Sequence, residues 1–485
     1  MNTSLPPPVC ARRATLLSLL ATVLLTACGP LAQTPKAAVP PSASLPASPP
    51  APPIVFVHGN GDTAALWITT LWRFESNGWP TDRLHAIDLP YPQARDADNV
   101  AQPGRSSTGE HMQFLAAEVD KVLKATGASQ VVLVGNSRGG NAIRNFIRND
   151  SRNDSRNPGA SRVSHAILGG TPNHGVRADS GGNLANEFHG AGPFLSGLNN
   201  QGAAGVEITP GPRWMTLRSD NNDKFAQPDG LWIGARGVAT QVTFAGPELA
   251  GALNLVLPAV DHRETSFSPQ AFAATYRFIT GRDPATTAVL PQATVTLSGK
   301  VSGLGLNNDP TTGRGATNLP LAGATVEVYA TDPLTGERQG AARWRKTVGA
   351  DGIWGPFQAD GRTTHEFVIT AAGYAVTHIY RQAFPRSSSV VHLRATLLAD
   401  ADRQVGSVIT FTRPRGYFGV PRDRVVFDGQ NPAPGLPTGL AGLSASTLRL
   451  PAAVPRAVVA EFNDQRLVGR SWPAAENRNV LLELH

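Results

Sequence analysis

The stretch Val131–Arg144, "VVLVGNSRGGNAIR", constrains the possible folds of this chain more than any other. Four apolar residues, three of them β-branched, end abruptly at Gly135, and Ser137 then stands between Asn136 and Arg138 with two more glycines behind. The apolar run is typical of a buried strand, and the residues after Ser137 have helical spacing. The pattern therefore predicts a tight strand-to-helix turn with a serine at its apex.

The glycines around this serine indicate a specialised turn. Gly135, Ser137 and Gly139 form the pattern G-x-S-x-G. Glycine is needed on both sides because a Cβ atom there would collide with the neighbouring strand or helix, and the turn lifts the serine oxygen above the edge of the sheet. The backbone amide of Arg138 is then placed at the helix start, where it can bind a developing oxyanion. The alternative interpretations are an ordinary glycine-rich loop and part of a nucleotide-binding turn.

Residues 54–283 alternate between apolar runs and segments with helical spacing. The apolar runs are "IVFVHG", "LHAIDL", "VVLVG", "VSHAILGG", "WMTLRS" and "VTFAG". Strands separated by helices predict βαβ units, and hence an α/β fold with a mostly parallel central sheet. With 485 residues, 41% of them hydrophobic, the chain is long enough for two or three domains.

The N-terminal residues have the pattern of an export signal. Arg12 and Arg13 precede "ATLLSLLATVLLTAC", an apolar run too short to span a membrane as a mature helix. Its end, "LTAC", resembles the bacterial lipobox, so we expect residues 1–27 to be a signal peptide and Cys28 to carry a lipid anchor. An ordinary signal peptide cut near Ala27 is the alternative. We therefore expect an exported protein, either a lipoprotein of the outer membrane or cell surface or an extracellular protein.

Residues 28–53 are rich in proline and alanine and are predicted to form an extended tether, because such a sequence cannot bury a core. The tether would hold a folded domain away from a membrane. The chain has two cysteines, and Cys10 leaves with the signal peptide, so no disulfide is expected within the mature protein.

A second motif, "VFVHGNGD" at Val55–Asp62, is an apolar strand that ends in His-Gly-Asn-Gly. Together with "GNSRGG" and "GGTPNHG", it makes residues 53–282 resemble the α/β-hydrolase lipases and esterases, specifically the small bacterial triacylglycerol lipase type. The resemblance implies an oxyanion hole formed by the backbone amides of Asn60 and Arg138, and an acid followed by a histidine after the serine. Asn136 and Arg138 replace the His and Met of that family, so we expect their side chains to affect the preference for acyl or head groups.

The resemblance implies that the acid and the base both follow Ser137 in the chain. "WMTLRSDNNDKFAQPDG" is a strand followed by a polar loop that offers Asp220 and Asp223. Asp223 fits better the family spacing of strand, S-x-x-x-D, apolar residue and proline, and Asp220 is the alternative. His262 follows the last predicted strand, and no other histidine comes after Asp223 in the hydrolase-like segment. We therefore expect His262 to act as general base and Asp223 to orient it.

Beyond the hydrolase-like segment, helical spacing gives way to short alternating strands with Gly and Pro between them. Residues 294–396 predict a β-sandwich, which resembles carboxypeptidase-regulatory-like or carbohydrate-binding-like domains. Residues 403–485 are predicted to form a second β-rich domain. The alternative for these residues is the second half of one larger β region.

The long insertion at residues 176–212 contains several glycines and scattered apolar residues. One interpretation is a flap with an apolar underside that covers the site. The other is a surface loop with a small core of its own.

Taken together, these residues predict a serine carboxylic ester hydrolase, a secreted lipase that forms an acyl-enzyme on Ser137. The alternatives are an extracellular depolymerase of the polyhydroxyalkanoate type and, from another class, a non-catalytic adhesion protein on a hydrolase scaffold. The expected partners are an ester lipid or polyester substrate and, through the lipid anchor, a membrane. No cofactor or metal is expected, since Asp220, Asp223 and Asp229 lack calcium-loop spacing. The net charge of +7 comes without a dense basic stripe, so nucleic acid is not an expected partner.

Overall fold

A computed structural model of the protein describes residues 51–150, 159–200, 205–227, 239–304, 317–439 and 441–484. The predicted signal peptide, the predicted lipid attachment site Cys28 and the tether up to residue 50 lie outside these ranges, as does Asp229. The described residues from Ala51 onward belong to one compact unit.

The central element of the first half is a parallel sheet. The strands of this half are β1 (Ile54–Val57), β2 (Leu84–Ile87), β3 (Gln93–Ala94), β4 (Arg105–Ser106), β5 (Val131–Asn136), β6 (Val163–Gly169), β7 (Arg213–Ser219) and β8 (Leu253–Leu257). The sheet has the order β2-β1-β5-β6-β7-β8, and every neighbouring pair in it is parallel. Short β3 and β4 pair separately. The predicted α/β fold with a mostly parallel sheet is confirmed.

Helices cover both faces of this sheet. They are α1 (Ile68–Ser76), α2 (Thr108–Thr126), α3 (Arg138–Asn149), α4 (Pro193–Asn199), α5 (Glu264–Phe267) and α6 (Pro269–Thr280). Side chains of a strand alternate between the two faces. In β5, Val132 and Val134 pack in one core with Phe74 of α1, whereas Val131 and Leu133 pack in the other core with residues of α2 and α3. No helix of the described ranges is long and apolar enough to cross a membrane.

Local capping signals set the bounds of α2, which leads into β5. The Ser107 side chain accepts a hydrogen bond from the Glu110 amide, and the Glu110 carboxylate accepts one from the Ser107 amide. This reciprocal pair satisfies two amides that a helix start leaves free. The helix ends at Gly127, whose φ of 66° is a left-handed conformation that glycine adopts without a steric penalty.

The second half of the chain is made of strands. They are β9 (Val295–Leu304), β10 (Thr325–Thr331), β11 (Trp344–Thr347), β12 (Ile353–Ala359), β13 (Thr364–Thr370), β14 (Val376–Arg381), β15 (Leu393–Thr396), β16 (Ser407–Thr412), β17 (Val425–Phe427), β18 (Ala445–Leu450), β19 (Ala457–Phe462), β20 (Gln465–Arg470) and β21 (Arg478–Glu483). They form a seven-stranded sheet in the order β11-β10-β13-β14-β21-β16-β18 and two three-stranded sheets, β12-β9-β15 and β17-β19-β20. The predicted β-rich C-terminal region is confirmed.

The seven-stranded sheet joins the two predicted β segments. Strands β10, β11, β13 and β14 come from residues 294–396, and β16, β18 and β21 come from residues 403–485. The junction is a parallel pairing of β14 with β21. The two segments are therefore continuous in this sheet. The domain boundaries stay predictions.

The first β segment shares a hydrophobic core with the α/β half of the chain, residues 51–283. Ile68 and Trp72 of α1 are buried in the same cluster as Leu297, Trp354 and Phe384. Burial of large aromatic side chains is a major source of stability. The helix α1 therefore belongs to the cores of both halves, since its Phe74 packs against the parallel sheet.

Candidate active site

The predicted turn at Ser137 lies between β5 and α3. Ser137 has φ 54° and ψ −123°, a strained conformation for a residue with a side chain. The surrounding structure holds it there, because the Ser137 amide donates to the carbonyl oxygen of Gly169 at 2.9 Å. A Cβ atom on Gly139 would lie 2.4 Å from the carbonyl oxygen of Val57, and one on Gly135 would lie 2.7 Å from the amide of Gly140. Both flanking glycines are therefore required by close backbone approach.

His262 and Asp223 are hydrogen bonded to each other. His262 lies between β8 and α5, and its Nδ1 is 2.8 Å from Oδ1 and 2.8 Å from Oδ2 of Asp223. Asp223 is fully buried, and its Oδ1 also accepts the amides of Phe225 at 2.8 Å and Ala226 at 2.9 Å. Amide donors of this kind stabilise an ionised carboxylate. Because Nδ1 is engaged, Nε2 is the imidazole nitrogen left to act on a substrate or a nucleophile.

Asp220, the alternative acid, is used differently. Its side chain is exposed, and Oδ2 accepts the amide of Ala259 at 3.0 Å while Oδ1 accepts the side-chain amide of Asn222 at 2.7 Å. These contacts are typical of an aspartate that stabilises a turn. The structure thus brings Asp223, and not Asp220, to His262.

Ser137 and His262 open into one small cavity of about 190 Å³. Most of its wall is apolar or aromatic, and its polar side chains come from the two candidate catalytic residues and from one loop after β1. The lining residues are Asn60, Asp62, Ser137, Pro172, Val176, Phe188, Phe225, His262 and Tyr417. An apolar cavity with a few convergent polar groups is the usual form of a small-molecule site.

The loop after β1 passes directly beside the serine. A Cβ atom on Gly59 would lie 3.0 Å from the Cβ of Ser137. The side-chain oxygen of Asn60 accepts the amide of Ala94 at 2.7 Å, which fixes the loop. The backbone amides of Asn60 and Arg138 donate to no group among the described residues. Two amides near the serine are therefore left to bind an anionic oxygen.

The side chain of Arg138 does not line the cavity, so any effect on substrate preference would be indirect. It is fully buried, and its Nε and Nη2 donate to the two carboxylate oxygens of Glu187, each at 2.7 Å. Nη1 donates to Ser106 Oγ at 2.9 Å. Burial raises the pKa of Glu187. This ion pair ties the insertion 176–212 to the start of α3, directly next to Phe188 in the cavity wall.

Asn136, the other expected specificity residue, also points away from the cavity. Its side-chain amide donates to Ser266 Oγ at 2.8 Å and to the carbonyl oxygens of His262 at 3.1 Å and Gly169 at 3.2 Å. Asn136 therefore links the end of β5 to the loop that carries the histidine, and its effect on substrate preference stays a prediction.

Three residues of this site were not found from the sequence. Tyr417, from the β-rich half, forms part of the cavity wall, with its ring centroid 5.4 Å from that of Phe225. Arg263 lies with its guanidinium carbon 4.7 Å from the Tyr417 ring centroid, and its Nη2 pairs with Asp62 Oδ1 at 2.5 Å. Asp62 directly follows the His-Gly-Asn-Gly motif and Arg263 follows His262, so their opposite charges could have predicted an ion pair at the site. Tyr417 has no such signal.

The described residues contain no group of three or more His, Cys, Asp or Glu side chains arranged to bind a metal ion.

Comparison with known families matches two segments of the chain. Residues 51–210 match the family model for lipase (class 2), and residues 293–397 match that for the lipase C-terminal domain. The first match contains Asn60 and Ser137 and ends before Asp223 and His262.

Several solved structures are similar to this chain at low identity. A lipase of Bacillus licheniformis in its propeptide form is 15% identical, with 87% of this chain and 93% of that chain covered and a TM-score of 0.33. Lipase B of Aspergillus fumigatus is 16% identical over 49% of this chain and 54% of that one, with a TM-score of 0.35. The lin2722 gene product of Listeria innocua is 14% identical, with 49% of this chain and 96% of that chain covered and a TM-score of 0.34.

These structural likenesses are too weak to carry an argument about function, whereas the two family matches are specific. The chain thus combines a segment, residues 51–210, that matches the class 2 lipase family with a segment, residues 293–397, that matches the lipase C-terminal domain family.

Proposed function

We propose that the protein is a serine carboxylic ester hydrolase, a lipase that acts through an acyl-enzyme on Ser137. The observation that carries the proposal is the hydrogen bond from His262 to buried Asp223 in the same cavity as Ser137. The match of residues 51–210 to the class 2 lipase family supports the reaction class. The apolar wall contributed by Val176 and Phe188 supports an ester with an apolar group as substrate.

The reaction begins when His262 Nε2 takes the proton of the Ser137 hydroxyl. The serine oxygen attacks the ester carbonyl carbon, and the carbonyl oxygen becomes an oxyanion that accepts hydrogen bonds from the amides of Asn60 and Arg138. Each such donor typically lowers the barrier by about 3 to 4 kcal/mol. Asp223 keeps the Nδ1 proton in place and stabilises the imidazolium.

The tetrahedral intermediate collapses when the bond between the carbonyl carbon and the alcohol oxygen breaks. His262 gives its proton to the departing alkoxide, which leaves as an alcohol, and Ser137 keeps the acyl group. Water then enters, gives a proton to His262 and attacks the acyl carbon. Collapse of this second intermediate releases the carboxylic acid and restores the Ser137 hydroxyl.

A matched set of variants tests this proposal on a soluble p-nitrophenyl ester. We expect Ser137→Ala to lower kcat on the order of 10⁶-fold. Asp223→Asn should lower kcat about 10⁴-fold, because the amide favours the wrong imidazole tautomer. Asp220→Asn is the control and should leave kcat unchanged, because Asp220 does not contact His262. Equal effects of the two aspartate variants, or turnover by Ser137→Ala, would refute the assignment.

The natural substrate is proposed to be an ester lipid, and a polyester depolymerase remains the alternative hypothesis. Emulsified triolein, a short soluble ester and a polyester film separate the two. Release of fatty acid from triolein without erosion of the film supports the lipase. Erosion of the film without turnover of triolein supports the depolymerase.

We further propose export with a lipid anchor at Cys28, which rests on the sequence pattern alone. Cells that express the chain in labelled palmitate should incorporate the label into it, and Cys28→Ser should abolish the incorporation. Label that persists in Cys28→Ser would contradict the anchor.

A further inference from the structure

The loop that carries His262 is held by charged residues from the far end of the chain. Asp261, immediately before His262, is fully buried. Its Oδ2 accepts a hydrogen bond from Arg413 Nη1 at 3.0 Å and from the Tyr417 amide at 2.7 Å. Its Oδ1 accepts the amides of Arg263 at 2.9 Å and Glu264 at 2.8 Å. A single carboxylate thus joins the backbone around His262 to the loop after β16.

A second carboxylate, that of Glu264, also connects the loop of His262 to the loop after β16. Glu264 Oε1 accepts from Arg413 Nη2 at 2.5 Å, and Oε2 accepts from Arg422 Nη1 at 3.0 Å and from the Asp261 amide at 2.7 Å. Arg422 Nη2 also pairs with Asp423 at 2.7 Å. Arg413 is 9% exposed, so its loss would remove one charged donor from each of two carboxylates in a largely water-excluded site.

The same loop provides Tyr417 to the cavity of Ser137 and His262. Its ring packs between Phe225 and the guanidinium of Arg263, which fixes its orientation. No hydrogen bond joins its hydroxyl to a described residue. Burial raises the pKa of this hydroxyl, so it stays a proton donor. A rigid ring with a free donor in a cavity of this size is suited to contact a bound ester.

We infer that residues 413–422 belong to the active site. Tyr417 binds the substrate, and Arg413 is a positioning residue that acts on His262 through Asp261 and Glu264. This inference rests on the proposed ester hydrolysis. It assigns to the β-rich half a role inside the cavity, in addition to any role that this half has in binding a surface.

The positioning role predicts a selective loss of kcat. In the full chain, Arg413→Met should lower kcat for a soluble p-nitrophenyl ester roughly 10- to 100-fold and leave KM nearly unchanged, because a histidine displaced by a fraction of an ångström to 1 Å transfers its proton poorly. Arg413→Lys should restore part of the loss. Arg449→Met is the matched control, since Arg449 on β18 of the same region pairs with Asp402 and not with the loop of His262. It should keep wild-type kcat.

Asp261→Asn provides a second route to the same answer if Arg413→Met does not fold. It keeps the shape of the side chain and removes its charge. It should also lower kcat, with a smaller change in KM. Circular dichroism and thermal unfolding show which variants are folded. Folded Arg413→Met or Asp261→Asn with the kcat of Arg449→Met would overturn the positioning role.

The substrate contact predicts a different pattern. Tyr417→Phe removes one hydrogen bond and should lower kcat/KM roughly 2- to 12-fold. Tyr417→Ala should also change the ranking of esters from two to twelve acyl carbons. Tyr91→Phe is the control, because Tyr91 is 40% exposed and does not line the cavity. A wild-type ranking and wild-type kcat/KM in both Tyr417 variants would overturn this contact.

Comparison of wild type with Ser137→Ala comes first, because it distinguishes a failure of the proposed function from a failure of the roles inferred for Arg413 and Tyr417. Turnover that depends on Ser137, together with unchanged Arg413 and Tyr417 variants, overturns this inference alone. Absence of turnover in wild type overturns the proposed function and this inference with it.

Discussion

The two β segments contact the hydrolase half in different ways. The first segment, residues 294–396, packs apolar side chains around Trp72 of α1, and the Trp72 indole donates to the carbonyl oxygen of Ser387 at 2.8 Å. The second segment, residues 403–485, reaches the loop of His262 with Arg413 and Arg422.

This difference separates stability from catalysis. Apolar burial is strong and non-directional, so the first segment is expected to stabilise the fold as a whole. Charged hydrogen bonds are directional and fix the position of individual groups. The second segment is therefore expected to act mainly on the geometry of the site. Substitutions in the two segments should give different ratios of lost stability to lost kcat.

The largest effect on stability is expected for Trp72→Ala. Removal of this indole, which is 2% exposed, leaves a cavity in the shared core and should lower the free energy of unfolding by about 3 to 5 kcal/mol. Urea denaturation measures the change, and kcat of the folded protein should stay near that of wild type. Trp344→Ala on the edge strand β11, where the side chain is only half-buried, is the control and should cost less. A large loss of kcat with unchanged stability would break the comparison.

A pH effect should come from the first segment. Burial lowers the pKa of His365 to about 4, from an ordinary value of 6.5. Below pH 6.5 the unfolded chain takes up a proton at this residue and the folded protein does not, so stability falls as the pH drops from 6.5 to 4. The expected contribution is about 3 kcal/mol.

Substitution of His365 isolates this contribution from those of other buried histidines. The ring centroid of His365 lies 5.4 Å from that of Phe357 and 6.1 Å from that of Phe367. The phenyl ring of His365→Phe is therefore compatible with these aromatic neighbours. Unfolding of both proteins between pH 7 and pH 4 should show a smaller fall in stability for the variant. Parallel curves would mean that the pKa of His365 is the same in the folded and the unfolded protein, which contradicts the prediction.

The smallest effect is expected for Asn318→Ala, the variant that sharpens the comparison most. Asn318 of the first segment is buried, and its side-chain amide donates to the carbonyl oxygens of Asp62 at 2.8 Å and Leu89 at 3.0 Å. Loss of these bonds should lower stability by about 1 to 3 kcal/mol. We expect kcat to fall less than in Arg413→Met. A larger fall would show that the first segment also positions the loop beside Ser137.

Local patterns made much of the hydrolase half predictable. The turn at Ser137 is encoded within a few residues, because the strand, the glycines and the helix start are all adjacent in sequence. The parallel sheet followed from apolar runs that alternate with helical segments. The choice between Asp220 and Asp223 was harder, since two chemically identical side chains three residues apart differ only in which one the folded loop turns inward.

Contacts between distant residues could not be read in this way. Arg413 meets Asp261 and Tyr417 meets Phe225 through the packing of two halves of the molecule, and neither short stretch has a distinctive motif. The ion pair of Arg138 could not be predicted for the same reason, because its partner Glu187 lies in an insertion whose path the sequence does not define. The shared seven-stranded sheet likewise depends on a pairing between β14 and β21, which are far apart in the chain.

Labelling with a fluorophosphonate tests most directly whether Ser137, His262 and Asp223 act as one site. Peptide mass spectrometry should find one phosphonyl group on Ser137, and the labelling rate should fall in Asp223→Asn and stay at the wild-type value in Asp220→Asn. Modification of a different serine, or labelling of Ser137 at the same rate in both aspartate variants, would contradict the account.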